Sequence, residues 1–294
     1  MSQIFDALHQ SASERAGNGS REFSAAKDLL QVVERKVAGT TAVLESPSVA
    51  RPTEARQSYP PASVELPAHS KFVSFEQKDS LAAEKFRFLA TRLRHMQQKR
   101  TLRRLVVTSS VPGEGKSMVA ANLACALALG KQEVLLLEGD LRRPSLGQQM
   151  GLCDLPGLSQ SLCGDGGSDN IFRLEDSALS VLLAGGSHSN PLEFMDGNKL
   201  SALMDRIANS FDWIVIDCPP VLPLADTSIW MRLADAILLV ARPGVTPKKQ
   251  LQNSIEAIEQ SKLLGTVVNA SAETTTNHYY YQYSSGYGRT ATAK

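Results

Sequence analysis

Residues 110–117 read Ser-Val-Pro-Gly-Glu-Gly-Lys-Ser, and this turn constrains the fold more than any other stretch of the chain. An apolar run at 105–107 precedes it and a helical candidate at 116–129 follows it. In a strand–turn–helix unit, Gly113 and Gly115 let the backbone aim its N–H groups at an anion, and the helix N-terminus adds partial positive charge. Lys116 is then placed to reach β- and γ-phosphates, and Ser117 to offer a hydroxyl to magnesium. Ser110 stands where the general pattern has its first glycine; the flanking strand and helix supply the context that the string alone lacks.

Further apolar runs at 134–137, 179–183, 213–216, 236–240 and 266–268 are short, continuous and rich in Val, Ile and Leu. Strands buried on both faces read this way. Helical candidates at 197–209, 227–234 and 248–261 alternate with them. The alternation predicts βαβ units with right-handed crossovers, hence an α/β fold of P-loop NTPase type with a mainly parallel sheet flanked by helices. Ligands of such sheets bind beyond the carboxyl ends of the strands. Glu138 and Asp140 fall just past the second strand, and Asp217 ends the fourth. Magnesium takes oxygen ligands and keeps several waters, so one or two carboxylates plus phosphates suffice.

The domain is expected over residues 79–272. It opens with an amphipathic helix at 80–98, where Phe86, Leu89, Leu93 and Met96 recur at helical spacing. Residues 85–104 hold eight Lys/Arg and no acid, which reads as a solvated face, with a subunit or membrane-partner contact as the other reading. Residues 1–78 show no sustained periodicity and include a Pro-rich linker at 51–70, so they are expected to be mostly disordered. Two short apolar faces, one at Ile4, Phe5 and Leu8 and one at Leu29, Leu30, Val33 and Val37, predict transient helices or a docking segment. Net charge is +1, so bulk basicity gives no argument for nucleic acid. The four cysteines show no C-x-x-C spacing and read as reduced thiols. The amino terminus has no signal-peptide core, and the longest apolar stretch, 118–129, falls short of the roughly 18–20 residues a span needs. The expectation is a cytoplasmic protein, held at a membrane only through a partner.

Five of the six tyrosines, Tyr279, Tyr280, Tyr281, Tyr283 and Tyr287, lie in the last 16 residues among Ser, Gly, Thr and Asn. That segment lacks the aliphatics to pack them, so residues 273–294 are expected to form a flexible tail. Either it is an aggregation-prone edge or it is a substrate array. His95, His188 and Cys218 show no ligand or triad spacing and read as structural.

Three segments carry a specific resemblance: PGEGKS, then LLLEGDLRRP, then IVIDCPP. In that order and at this spacing they resemble the Walker A, Walker A′ and Walker B motifs of the bacterial tyrosine kinases (BY-kinases) of capsule and exopolysaccharide export. The similarity runs over residues 80–287 and takes in Asn190-Pro191, Phe211-Asp212 and 264–269. It implies ATP, magnesium and phosphoryl transfer to tyrosine without a eukaryotic kinase fold. By that resemblance Gly113, Glu114, Gly115, Lys116, Ser117 and Met118 cradle the nucleotide, and Asn269 contacts adenine. Ser117, Asp217 and Asp140 organise magnesium, and Glu138 and Asp140 form the catalytic Walker A′ pair with Lys116 beside them. The tyrosine tail corresponds to the cluster such kinases phosphorylate, usually on a neighbouring subunit of a homo-oligomer. A membrane chain-length-determinant protein is the implied activating partner.

Two positions depart from the family pattern. Glu138 stands where Asp is usual, keeping the charge but moving the carboxylate outward by a methylene. Glu84 and Arg87 match an E-x-x-R-x-x-R oligomerisation segment whose last arginine position is Ala90 here. Arg142 and Arg143 either steady phosphates or brace their loop. Two other readings compete. A partitioning-type P-loop ATPase would carry lysine where Val111 stands and would need no tyrosine tail; a non-catalytic nucleotide-binding regulator of polysaccharide chain length would leave the tyrosines unmodified.

Overall fold

The computed structural model describes residues 59–64, 66, 71–163, 169–187, 190–195, 198–222 and 225–270. In chain order the elements are β1 (Pro61–Ala62), α1 (Val73–Glu76), α2 (Leu81–Gln97), β2 (Arg104–Ser109), α3 (Lys116–Ala128) and β3 (Val134–Glu138). Then come α4 (Leu146–Met150), α5 (Leu158–Cys163), β4 (Phe172–Leu174), β5 (Leu179–Leu182), α6 (Leu192–Met195) and α7 (Asn198–Ala208). The last are β6 (Trp213–Asp217), α8 (Ala225–Leu233), β7 (Ala236–Ala241), α9 (Lys248–Ala257) and β8 (Leu263–Val268).

The eight strands form one sheet in the order β1-β4-β5-β3-β6-β2-β7-β8, parallel at every pairing except β4 with β5. Side chains of a strand alternate between the two faces of the sheet, and here both faces are covered. Val106, Leu135, Leu137, Ile214, Ile216 and Leu239 join a core with α7, α8 and α9. Leu105, Val107, Leu136, Val215 and Val240 join a second core with α2 and α3. This two-sided burial explains why the strands read as unbroken apolar runs.

Helix α3 is sandwiched between sheet and α2, and every residue from Val119 to Ala128 is buried. Its alanines keep it slim enough for that position. Ser80 caps α2, its hydroxyl accepting the Ala83 N–H at 3.1 Å. The basic run at 85–104 is partly structural rather than a plain solvated face. The Arg104 guanidinium pairs with Asp205 and bonds the Met204 carbonyl, while Asp235 accepts both the Arg103 and Arg104 N–H groups.

The structure departs from the sequence reading in four places. Residues 59–62 and 71–76, expected within the largely disordered amino-terminal stretch, are built into the fold. Pro61 and Ala62 pair with Arg173 and Leu174, a location where proline is tolerated because the strand is at the sheet edge. Phe72 is buried against α3 and α2. The short strand β4, with an arginine at its centre, carries no apolar run to reveal it. Helix α9 stops at Ala257, four residues early, because Ile258 turns to extended backbone. The segments around residues 4–8 and 29–37 and the tyrosine tail lie outside the described residues.

Candidate active site

The phosphate-type turn leaves β2 at the carboxyl edge of the sheet. Gly113 and Gly115 both adopt positive φ, 84° and 87°, and Gly115 is the residue from which α3 starts. At 115 the glycine is required twice over, since a Cβ there would also collide with the Asn269 side chain. Asn269, at the end of β8, donates its amide N–H to the Glu114 carbonyl at 2.8 Å and so ties the last strand to the turn.

Glu114 itself is fully buried. Its carboxylate accepts the Val111 N–H at 2.8 Å and the Thr246 hydroxyl, so its side chain braces the turn internally rather than facing a ligand. A cavity of about 990 Å3 opens above the turn. Gly113, Gly115, Lys116, Ser117, Met118, Asp140 and Asn269 line it. Glu114, Glu138 and Asp217 do not; Asp217 is buried behind Lys116 and Asp140.

Lys116 is the electrostatic centre. Its Nζ lies 3.0 Å from Asp140 Oδ2 and 3.5 Å from Asp217 Oδ1. Burial works against its charge, but the carboxylates of Asp217 and Asp140 outweigh burial and hold the ammonium above the ordinary lysine range. The Ser117 hydroxyl sits 3.4 Å from Lys116 Nζ and 3.3 Å from Ser145 Oγ. Asp217 is fully buried and neither of its carboxylate oxygens has a hydrogen-bond partner. Burial pushes its carboxyl up, against the downward pull of Lys116.

A fully buried carboxylate held only by a long lysine contact and a neighbouring hydroxyl asks for an explanation. Beside a serine hydroxyl and Asp140, its donor set is all oxygen, which suits a hard divalent cation. No group of three or more His, Cys, Asp or Glu able to hold a metal occurs among the described residues. A cation at this place therefore depends on one or two carboxylates, a hydroxyl and oxygens of the ligand itself.

The structure corrects the expectation for Glu138. Its carboxylate is 1% exposed and turned away from the cavity, and it accepts the backbone N–H groups of Ser145, Leu146 and Ala184. It also resolves the two arginines. Arg142 pairs with the buried Asp226, at 3.1 Å for its Nη2–Oδ1 bond, and so braces the loop while also lining the cavity. Arg143 is exposed at the cavity. Further residues at the cavity have no signature in the sequence, Lys71, Phe72 and Arg242 among them. Asn122 holds Lys71 and Phe72 there, its side chain donating to the Lys71 carbonyl and accepting the Ser74 N–H. Lys71, Lys116, Arg143 and Arg242 give the cavity the positive lining that a polyphosphate needs.

A family model described as ParA, NUBPL iron-transfer P-loop NTPase, matches residues 100–294. It covers the P-loop scaffold and its nucleotide-binding turn. Tyrosine-protein kinase YwqD of Bacillus subtilis is 31% identical over 212 residues, 71% of this chain and 90% of YwqD. This chain belongs to the bacterial tyrosine-kinase family.

The succinoglycan biosynthesis transport protein ExoP of Rhizobium meliloti is 32% identical over 171 residues, 56% of this chain but 22% of ExoP. The chain thus spans most of one relative and under a quarter of the other. Among solved structures, the chimerical protein CapA2B2 superposes with a TM-score of 0.63 at 30% identity, covering 70% of this chain and 91% of that one. No helix among the described residues is long and apolar enough to cross a membrane.

Proposed function

We propose that the protein is an ATP- and magnesium-dependent tyrosine autokinase that phosphorylates Tyr279, Tyr280, Tyr281, Tyr283 and Tyr287 of its own tail, in trans, and regulates exopolysaccharide or capsule synthesis and export. The observation that carries the reading is Lys116 and Asp140 in the lining of a cationic cavity, with Asp217 buried behind them within 3.5 Å of Lys116, beside a turn built to hold phosphate. Its likeness to the tyrosine-protein kinase YwqD over 90% of that protein gives the acceptor class.

Phosphoryl transfer needs positioning and charge neutralisation more than covalent chemistry from the protein. Lys116 and the turn's N–H groups hold the phosphates, and Arg143 and Arg242 add charge at the cavity mouth. Ser117 and Asp217 hold magnesium, with Asp140 adjoining; when bound, the ion neutralises charge developing on the phosphate oxygens. Asp140 is the carboxylate that both lines the cavity and neighbours Lys116, so it receives the tyrosine hydroxyl proton. A tethered tail presents tyrosine at high effective concentration. By family resemblance the partner is a membrane chain-length-determinant protein, which recruits the kinase from the cytoplasm and activates it within a homo-oligomer. ExoP, matched over 22% of its length, is named as a transport protein of polysaccharide biosynthesis, in keeping with such a pairing.

One observation favours a second reading, a nucleotide-binding regulator without transfer: Glu138, one of the two expected Walker A′ carboxylates, does not face the cavity. A tryptic mass map of the tail after incubation with Mg-ATP and an activator's cytoplasmic segment separates the two. Phosphotyrosine at 279–287 in the wild type, lost about 10³-fold or more in Lys116→Met, is expected. An unmodified tail, with ATP binding measured in the same sample, leaves the regulator.

A further inference from the structure

We infer that Glu138 is a positioning residue: its buried carboxylate latches the loop carrying Asp140 and Ser145 into register with Lys116 and Ser117, and it binds neither metal nor substrate. Two geometric facts carry this. The carboxylate spends one oxygen on the Ser145 and Leu146 N–H groups, at 2.5 and 2.6 Å, and the other on the Ala184 N–H at 3.1 Å. Like Asp217 it is absent from the cavity lining, but unlike Asp217 it has both oxygens taken up by backbone N–H groups, and Asp140 and Ser145, the two residues it frames, both line the cavity.

The latch spans three elements. It joins the end of β3 to the start of α4, seven residues on, and to the chain leaving β5. The loop between has other anchors, since Trp230 donates to the Gly139 carbonyl at 3.1 Å and Ser187 to the Arg142 carbonyl at 2.9 Å. Arg142 pairs with Asp226 and the Arg143 N–H bonds the Asp140 carboxylate as well, and Glu138 takes the backbone N–H groups at the end of the loop where the Ser145 hydroxyl meets Ser117.

The added methylene explains why glutamate serves. Aspartate is shorter by roughly 1.5 Å, so it cannot keep bonds to both Ser145–Leu146 and Ala184 within hydrogen-bond distance. Glutamine keeps the length. Its oxygen can accept from Ser145 and Leu146, but its amide then faces the Ala184 N–H donor to donor. The latch therefore ranks the residues glutamate, then glutamine, then aspartate. A metal ligand or base ranks them glutamate or aspartate first and glutamine last.

Trypsin reads the latch without any kinase activity, because the Arg142–Arg143 bond lies inside the loop. That bond is expected to be cut slowly in the wild type, faster in Glu138→Gln, and about tenfold faster in Glu138→Asp, as local opening follows loss of two or more bonds. Binding of a fluorescent ATP analogue without magnesium, which rests on the turn and Lys116, is expected to stay within about twofold of wild type. The magnesium concentration for half-maximal tail phosphorylation is expected to rise and the rate to fall, by up to about 10²-fold in the aspartate variant. If Glu138→Asp does not fold, Glu138→Gln alone carries the trypsin and magnesium arms with intermediate values. Aspartate matching or exceeding glutamine in rate, or unchanged trypsin cutting in both variants, overturns the inference. The magnesium and rate arms rest on the kinase reading; the trypsin arm does not, so faster cutting with an unmodified tail condemns the kinase reading and spares the latch.

Discussion

Glu138 and Asp217 stand side by side, paired in register at the carboxyl ends of adjacent strands β3 and β6. Both are buried to within 1%, and burial pushes both carboxyls above the ordinary range. Their surroundings are opposite. Glu138 fills its acceptor sites with three backbone N–H groups, whereas Asp217 receives no backbone N–H and faces Lys116, Ser117 and Asp140 instead. A carboxylate that satisfies the backbone supports the fold; one kept waiting for hydrogen bonds costs stability and is retained for what it binds. On the proposed kinase reading, two acids at equivalent strand ends thus divide into a structural part and a functional one.

The sharpest way to break this comparison is to neutralise each acid in turn. Asp217→Asn is expected to lower tail phosphorylation by about 10²–10³-fold, with the thermal midpoint of the nucleotide-free protein held or raised; a lowered midpoint with activity intact would reverse the roles. Glu138→Ala leaves three buried N–H groups without partners, at about 1–3 kcal/mol each. Urea unfolding is expected to show a loss of about 3 kcal/mol or more, far beyond any effect of Asp217→Asn.

Asn122 offers a milder control away from both acids. Its side chain makes three hydrogen bonds, to Lys71, Ser74 and Met118. Asn122→Ala is expected to cost about 2 kcal/mol in unfolding and to weaken nucleotide binding several-fold as the wall at Lys71 and Phe72 loosens. Unchanged binding would separate that wall from the site.

The smallest effect is in pH. A carboxyl whose folded pKa is raised takes up its proton in the native state first, so its contribution destabilises as pH rises through the window between the ordinary carboxylate range and the raised folded value. Thermal midpoints of the nucleotide-free protein, wild type minus Asp217→Asn, are therefore expected to fall as pH rises above the ordinary aspartate range. A difference that rises instead would mean Lys116 dominates the titration of Asp217.

The sheet was legible in the sequence because two covered faces leave no polar alternation, and 134–137 or 213–216 then have no other reading. The turn at 110–117 was legible because glycine, lysine and serine are each required at fixed offsets within one local unit. The difference between Glu138 and Asp217 was not, because it depends on which N–H groups arrive from residues 145, 146 and 184. Lys71, Phe72 and Arg242 were hidden for the same reason, being brought to the cavity by chain paths that no local spacing records. Strand β1 escaped because two residues led by a proline carry no period.

The hook between Asn269 and the Glu114 carbonyl has a mechanical side. Chain beyond Ala270 begins one residue after a side chain fastened to the phosphate-holding turn. A load applied to that end of the molecule meets Asn269, which shares it between the Glu114 carbonyl of the turn and the Ala241 carbonyl at the end of β7.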